Sequence, residues 1–378
     1  MDIPFSPDER LVVAMSGGVD SSVAAWMLAE AGHPLVGLFM RNGVKVDASE
    51  VRQKSCCSLS DARDARMVAA FLDIPFQAVD LSEEFTSVIA YFIDEYRQGR
   101  TPNPCAVCNR DLKFGRLLEL ADELGAVGVA TGHYARIGIQ DGRVVLRRGV
   151  DSTKDQSYQL FSVTEDHLAR TALPLGHLQK SRVRELAAQA GLRTSAKADS
   201  QEVCFIPSND YRQLLREHGV TLHPGSIVDT SGKKLGEHEG TENYTIGQRR
   251  GIGLGGGAPL YVLEICPEEG VVVVGGREEC GVVSAVVEGL NWIGFDPPLG
   301  GELVCGVQHR YGSLDVPVRV SLDGDRAEVC FERPEPSVTP GQGAAFYQGD
   351  RLIGGGWIAS TQRVGQAAPV THGLARHS

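Results

Sequence analysis

The apolar run Leu11–Met15 passes without a linker into Ser16-Gly17-Gly18-Val19-Asp20-Ser21-Ser22, which opens the helical pattern Ser21–Ala31 closed by Gly32. Two adjacent glycines let the backbone turn tightly, so that its N–H groups can face an anion. The helix adds its positive end, and Ser16, Ser21 and Ser22 add hydroxyl donors. An ordinary strand-to-helix turn accounts for one Gly and one Ser, but less well for two glycines, three serines and an Asp in seven residues. The segment is expected to bind phosphate. No Lys follows the glycines, so it is not a Walker A loop. A second run, Gly251-Ile252-Gly253-Leu254-Gly255-Gly256, matches G-x-G-x-x-G in form. It precedes a strand pattern with no helix behind it, and the dinucleotide reading fails on that context.

Strands and helices go on alternating after the loop. Leu35–Met40, Phe76–Val79 and Val127–Thr131 read as strands; helices are expected from Ser60 to about Leu72, over Glu84–Arg97, near Leu112–Leu124, and around Glu165–Ala172 and Ser181–Ala190. This implies an α/β domain with a parallel sheet covered on both faces. Asp141-Gly142, between Tyr134–Gln140 and Arg143–Arg148, signals a hairpin. Residues 1–220 hold 16 of the 45 glycines, and beyond them the pattern changes to short β runs such as Tyr261–Ile265, Val282–Val287 and Val316–Leu322. The expected organisation is an α/β domain over 1–210, a small β-rich central domain over 211–280 and a C-terminal β-barrel over 281–378.

No apolar run approaches the 18 residues of a membrane span, and Met1-Asp2-Ile3-Pro4 does not begin a secretion signal; a cytoplasmic protein with no membrane partner is expected. Nine cysteines in that setting suggest thiols kept for metal or catalysis. Cys266, Cys280, Cys305 and Cys330 lie in β patterns and read as packing, as does the more ambiguous Cys56-Cys57. Cys105 and Cys108 form C-x-x-C in a segment whose prolines, Pro102 and Pro104, predict a loop and not a helix. Cys204 stands alone.

Pro-Asn-Pro-x-x-x-Cys-Asn at Pro102–Asn109 and Asp-Ser-x-x-x-Cys-Phe-Ile at Asp199–Ile206, with the glycine-serine loop, resemble the tRNA-specific 2-thiouridylases of the PP-loop ATP pyrophosphatase superfamily. Ala130-Thr131-Gly132-His133-Tyr134, Lys154–Tyr158, Tyr244–Arg249 and Thr339-Pro340-Gly341-Gln342 extend the resemblance over nearly the whole chain. It implies ATP-dependent replacement of O2 by sulfur in the wobble uridine, position 34, of tRNA, with AMP and pyrophosphate released. The chemistry is coherent. The uracil C2 carbonyl is a poor electrophile, adenylation turns its oxygen into a good leaving group, and a cysteine persulfide delivers sulfur as the nucleophile. By the resemblance Cys204 carries the persulfide and Cys108 is its partner thiol, with ATP and Mg2+ required. A persulfide donor protein of a cysteine desulfurase relay and a thiol reductant complete the cycle.

Many family members carry Asp where this chain has Cys105. Cys105, Cys108 and Cys204 could instead hold an iron–sulfur cluster, or zinc with a fourth ligand. An amidating PP-loop synthetase and a non-catalytic tRNA-binding or sulfur-carrier protein also stay open. The resemblance places Ala14, Met15, Ser16, Gly17, Gly18, Val19, Asp20, Ser21, Met40 and Gly132 at the nucleotide. It places Asn103, Pro104, Cys105, His133, Lys154, Asp155, Gln156, Arg310, Tyr311 and Gln342 at tRNA. A net charge of -11 argues against nucleic acid only at first sight, because residues 141–200 carry +3. Arg143, Arg147, Arg148, Lys154, Lys180, Arg182, Arg184, Arg193 and Lys197 are expected there as a phosphate-contacting cluster.

Overall fold

The computed structural model describes residues 3–43, 59–198, 203–206, 210–255, 257–298 and 301–366. Cys56-Cys57, Asp199–Glu202 of the Cys204 motif, Gly256 and the tail from 367 lie outside the described residues.

The first domain has the expected parallel sheet. Its strands are β1 (Leu11–Ala14), β2 (Leu35–Arg41), β3 (Phe76–Asp80), β4 (Gly128–Ala130) and β7 (Thr171–Ala172), ordered β3-β2-β1-β4-β7 with every pairing parallel. Successive side chains of a strand point to opposite faces, so a sheet buried on both sides needs a continuous apolar run. Central β1 provides one. Val12 faces Phe114, Leu117 and Ala121 on one side, while Leu11 and Val13 face Val23, Ala24 and Leu28 on the other.

The covering helices are α1 (Val19–Glu30), α2 (Leu59–Phe71), α3 (Ser82–Arg97), α4 (Pro104–Cys108), α5 (Leu117–Glu123), α6 (Glu165–Ala169) and α7 (Lys180–Gln189). Between α4 and α5 the chain stays helical but widens into a π-helix over Asn109–Arg116. The cysteine segment is therefore not the loop its prolines suggested. Pro104 sits in the first turn of α4, where a missing N–H costs nothing, and Asn103 caps the helix by accepting from the Ala106 amide at 3.2 Å.

After α8 (Tyr211–Glu217), strands β8 (Gly225–Val228), β9 (Lys234–His238), β10 (Tyr261–Cys266) and β11 (Val271–Gly275) make a four-stranded sheet around Ile227, Val262, Val272 and Val274. The last domain contains β12 (Val282–Trp292), β13 (Glu302–Gln308), β14 (Val316–Asp323), β15 (Arg326–Glu335), β16 (Gly343–Gln348) and β17 (Arg351–Arg363). Their order is β12-β15-β14-β13-β16-β17, and pairing of β12 with β17 closes the barrel. The hairpin β5 (Ala135–Gln140) and β6 (Arg143–Arg148) forms as expected, but in the sheet of the other domain. Arg147 and Leu146 pair with Arg351 and Leu352 at the start of β17. Leu146, Tyr347 and Leu352 then share a core with Phe114 and Leu117, so barrel and α/β domain are fused through a sheet and a core.

Candidate active site

The glycine-serine loop lies at the carboxyl edge of the sheet, where the strand order places ligands in folds of this kind. Ala14 and Met15 end β1, Met40 lies near the end of β2, and Gly132 follows β4. Gly17 turns the chain at φ 72°, and a Cβ there would lie 2.2 Å from the Asp61 carbonyl oxygen. Gly18 caps α1 without a side-chain acceptor. Ser21 Oγ accepts from the Ser16 amide at 3.1 Å, and Ser22 Oγ donates to the Gly18 carbonyl at 2.8 Å, so the hydroxyls shape the loop. A Cβ on Gly132 would come within 2.9 Å of the Ser21 amide nitrogen. Val19 is buried in the first turn of α1.

Two lysines brace this loop from distant segments. Lys180 donates to both oxygens of Asp20 at 2.7 Å, and the Tyr134 hydroxyl donates to Asp20 Oδ1 at 2.6 Å. Lys197 donates to the Gly17 carbonyl and to Asp64, each at 2.9 Å, and to Asp61. The two aspartates outweigh the burial of the Lys197 ammonium and raise its pKa. Composition placed both lysines in a phosphate-contacting cluster. Their role as braces could not be read there, because the carboxylates they meet are 160 and 136 residues away.

Cys108 and Cys204 are partly buried and pack against one apolar cluster that includes Phe85, Val107, Leu112 and Phe205. The ring of Phe205 packs edge-on against Phe85 and Phe92, which anchors the residue after Cys204 to α3. Cys105 is exposed and lies near Tyr311, which is also close to Asp155 and Lys154. Among the described residues no three His, Cys, Asp or Glu side chains are gathered as a metal-ligand set, so Cys105, Cys108 and Cys204 do not converge as one. Burial pushes the Cys266 thiol up to about 11 and the Cys305 thiol up to about 12, as suits packing residues. Cys330 departs from that expectation: it is exposed on β15.

The residues assigned to tRNA fall into two sets. Arg310 and Tyr311 are exposed on the barrel beside the loop of Lys154. Asp155, Gln156 and Gln342, part-buried, and buried His133 are hydrogen-bonded to protein groups. Asp155 accepts from the Gly149 amide, Ser157 and Arg148, and Gln156 Oε1 accepts from the Tyr134 amide at 3.0 Å. His133 is buried against Phe114 with Nδ1 2.7 Å from the Thr131 hydroxyl, so the ring packs on protein rather than offering a face to a base. Burial, then the nearby Lys113, holds its pKa well below the ordinary 6.5. Asn103 and Pro104 are buried at the start of α4.

The expected basic cluster is largely neutralised. Arg143 pairs with Glu165 and Asp296, Arg147 with Asp350, Arg148 with Asp155 and Asp315, Arg182 with Glu185, and Arg193 with Asp64. Arg184 donates to the carbonyls of Ser195 and Lys197. A block charge counts cations without their acidic neighbours from other segments, which is why it misled.

A parallel-sheet nucleotide-binding domain with a brace-held glycine-serine loop, two thiols on one apolar cluster and a barrel fused to it through a shared sheet and core defines the class. Residues 9–208 match the family profile described as tRNA methyl transferase HUP domain. The profiles of a PRC-barrel domain and an aminomethyltransferase beta-barrel domain match 212–276 and 284–358. The tRNA-specific 2-thiouridylase MnmA of Geobacter metallireducens is 48% identical over 94% of this chain and 98% of its own length. That of Solibacter usitatus is 44% identical over 93% and 100%. Among solved structures, the NMN synthetase of Francisella tularensis aligns at TM-score 0.32 and 17% identity over 51% of this chain and 66% of its own, too slight a likeness to use. The chain belongs to the tRNA-specific 2-thiouridylase family.

Proposed function

We propose that the chain is a cytoplasmic enzyme that uses ATP to replace O2 of uridine 34 in tRNA by sulfur, with boundaries near 210 and 280 separating the catalytic domain, the central domain and the tRNA-contacting barrel. The observation that carries the reading is the packing of Cys108 and Cys204 against one apolar cluster in a domain that also presents the glycine-serine loop. The loop fits a nucleotide's phosphates: α1 starts without a side-chain cap, and the missing side chain of Gly132 lets the Asp20–Ser21 backbone approach to where a Cβ would lie 2.9 Å away. Ser16, Gly17, Gly18, Val19, Asp20 and Ser21 would hold the phosphates, with Ala14, Met15, Met40 and Gly132 around the nucleoside. Bound there, ATP supplies the adenylyl group that makes O2 a leaving group. Magnesium would enter with the nucleotide, whose phosphates supply ligands for it.

In the sulfur step the terminal sulfur of the Cys204 persulfide forms a bond to C2 as the C2–O2 bond breaks and AMP leaves. The Cys108 thiolate then attacks Cys204 Sγ, releasing 2-thiouridine and leaving a Cys108–Cys204 disulfide. A two-electron thiol reductant restores both thiols, and a protein persulfide recharges Cys204. This relay is favoured over a cluster by the geometry, because Cys105 faces outward to Tyr311 while Cys108 and Cys204 pack inward. Arg310, Tyr311, Lys154 and exposed Cys105 would receive the anticodon loop, whose base reaches the site without leaving a duplex.

The test is a metal-free, anaerobic preparation given ATP, Mg2+, a persulfide donor and an unmodified tRNA bearing uridine 34. Expected products are pyrophosphate, AMP and a nucleoside with sulfur in place of oxygen. Pyrophosphate release without sulfur incorporation, or a methylated product, overturns the reading.

A further inference from the structure

We propose that Gln342 is a positioning residue that fixes the start of the Cys108 helix, whether or not tRNA is bound. The inference rests on the functional reading only in taking Cys108 as a reacting thiol. Gln342 Nε2 donates to the carbonyls of Thr101 at 3.2 Å and Pro102 at 2.8 Å, and its Oε1 accepts from the Tyr158 hydroxyl at 3.4 Å. Both amide protons are thereby spent on protein groups, while Oε1 shares the Tyr158 hydroxyl proton with the Gly343 carbonyl, 3.2 Å from it.

The rest of the barrel turn grips the same strap. Thr101 donates its amide to the Pro340 carbonyl at 2.8 Å. The Tyr91 hydroxyl accepts from the Asn103 amide at 3.2 Å and donates to the Gly341 carbonyl at 3.5 Å. Contact is close enough that a Cβ on Gly341, at φ 89°, would lie 2.6 Å from the Thr101 oxygen and 2.5 Å from Glu95 Oε2. Glu95 is itself held by Arg100, which ends the turn after α3.

The strap ends on Asn103, whose side chain caps α4. The position of Asn103 sets the first turn of α4, and that turn sets the direction of Cys105 and Cys108. A rotation of the strap is therefore a rotation of both thiols. The barrel turn does not need the Gln342 side chain, because its own backbone bonds hold it: Gly341 donates to Ile358, and Ile358 to Gln342, at 2.8 and 2.9 Å. Removing the side chain should release the strap and leave the barrel intact.

The experiment compares wild type with Q342L, which deletes the polar groups, and Q342E, which sets an acceptor against two carbonyls. Iodoacetamide labelling of the full chain without tRNA or ATP is followed at Cys108 by peptide mass spectrometry, with Cys330 on the outside of the barrel as internal reference. tRNA affinity and kcat are measured separately. Expected in both variants is a change of about 3-fold or more in Cys108 labelling and a fall of roughly 10-fold in kcat at saturating tRNA, with Cys330 labelling within about 2-fold. Unchanged Cys108 labelling, with or without a weakened tRNA Kd, overturns the proposal. So does a parallel rise at Cys330 and buried Cys305, which would mean the whole barrel has loosened. Failure of the wild type to thiolate tRNA would sink the functional reading alone and leave the labelling result standing.

Discussion

Lys180 and Asp20 form a two-point ion pair across 160 residues, with both carboxylate oxygens 2.7 Å from the ammonium. The pair fixes the first turn of α1 against the start of α7, directly behind the glycine-serine loop. Their side chains are 11% and 33% exposed, so losing one partner strands a poorly hydrated charge. K180M should lower unfolding free energy by about 1.5–3 kcal/mol and abolish tRNA-stimulated pyrophosphate release. The double variant D20N/K180M should recover much of the stability in urea titrations but none of the activity. Recovery of activity would show that the pair only supports the fold.

Gly17 is constrained twice, by its positive φ and by the Asp61 carbonyl at its missing Cβ. Gly142 at the hairpin tip shares the positive φ, at 76°, but has open space around it. Backbone strain alone costs roughly 1 kcal/mol, and a clash with backbone adds to it. Gly142→Ala should therefore cost about 1 kcal/mol with pyrophosphate release intact, whereas Gly17→Ala should cost more and abolish that release. Equal effects of the two substitutions on thermal melting and on pyrophosphate release would contradict the loop's role.

Much of this was legible beforehand because it is local. The parallel sheet follows from apolar runs such as Leu11–Ala14, and the hairpin follows from Asp141-Gly142, each settled by neighbours in sequence. Three features were not legible. Pro104 reads as a helix breaker unless one knows that Asn103 will cap, which makes it a first-turn residue. The barrel sheet captures β6 through Arg351 and Leu352, a pairing no local pattern announces. The basic block 141–200 meets carboxylates at Asp296, Asp315 and Asp350, so its charge is spent on long-range pairs.

The two thiols should separate the half-reactions. Adenylation needs the glycine-serine loop and tRNA but no sulfur, so C204A and C108A should keep tRNA-stimulated pyrophosphate release while forming no 2-thiouridine. C105A should still form it, with tRNA affinity weakened at most about 10-fold by the loss of one contact beside Tyr311. Product analysis by nucleoside mass spectrometry checks all three. Loss of thiolation in C105A at saturating tRNA would return the three-thiol cluster to contention.

His133 makes a pH signature. Its folded pKa lies well below 6.5, chiefly through burial and then through Lys113. The unfolded chain therefore binds a proton near pH 6.5 that the folded chain refuses. Stability is complete above that pH and falls as pH drops toward the folded pKa, by up to about 1.4 kcal/mol per pH unit for one proton. His238 and His309 are shifted the same way, so the native protein should show the combined slope. H133N, which cannot titrate and can still accept from Thr131, should flatten the slope between pH 6.5 and 5 by one proton's share in denaturant titrations. An unchanged slope would mean that the folded ring is protonated, and would place it in contact with water or with a carboxylate instead of Phe114.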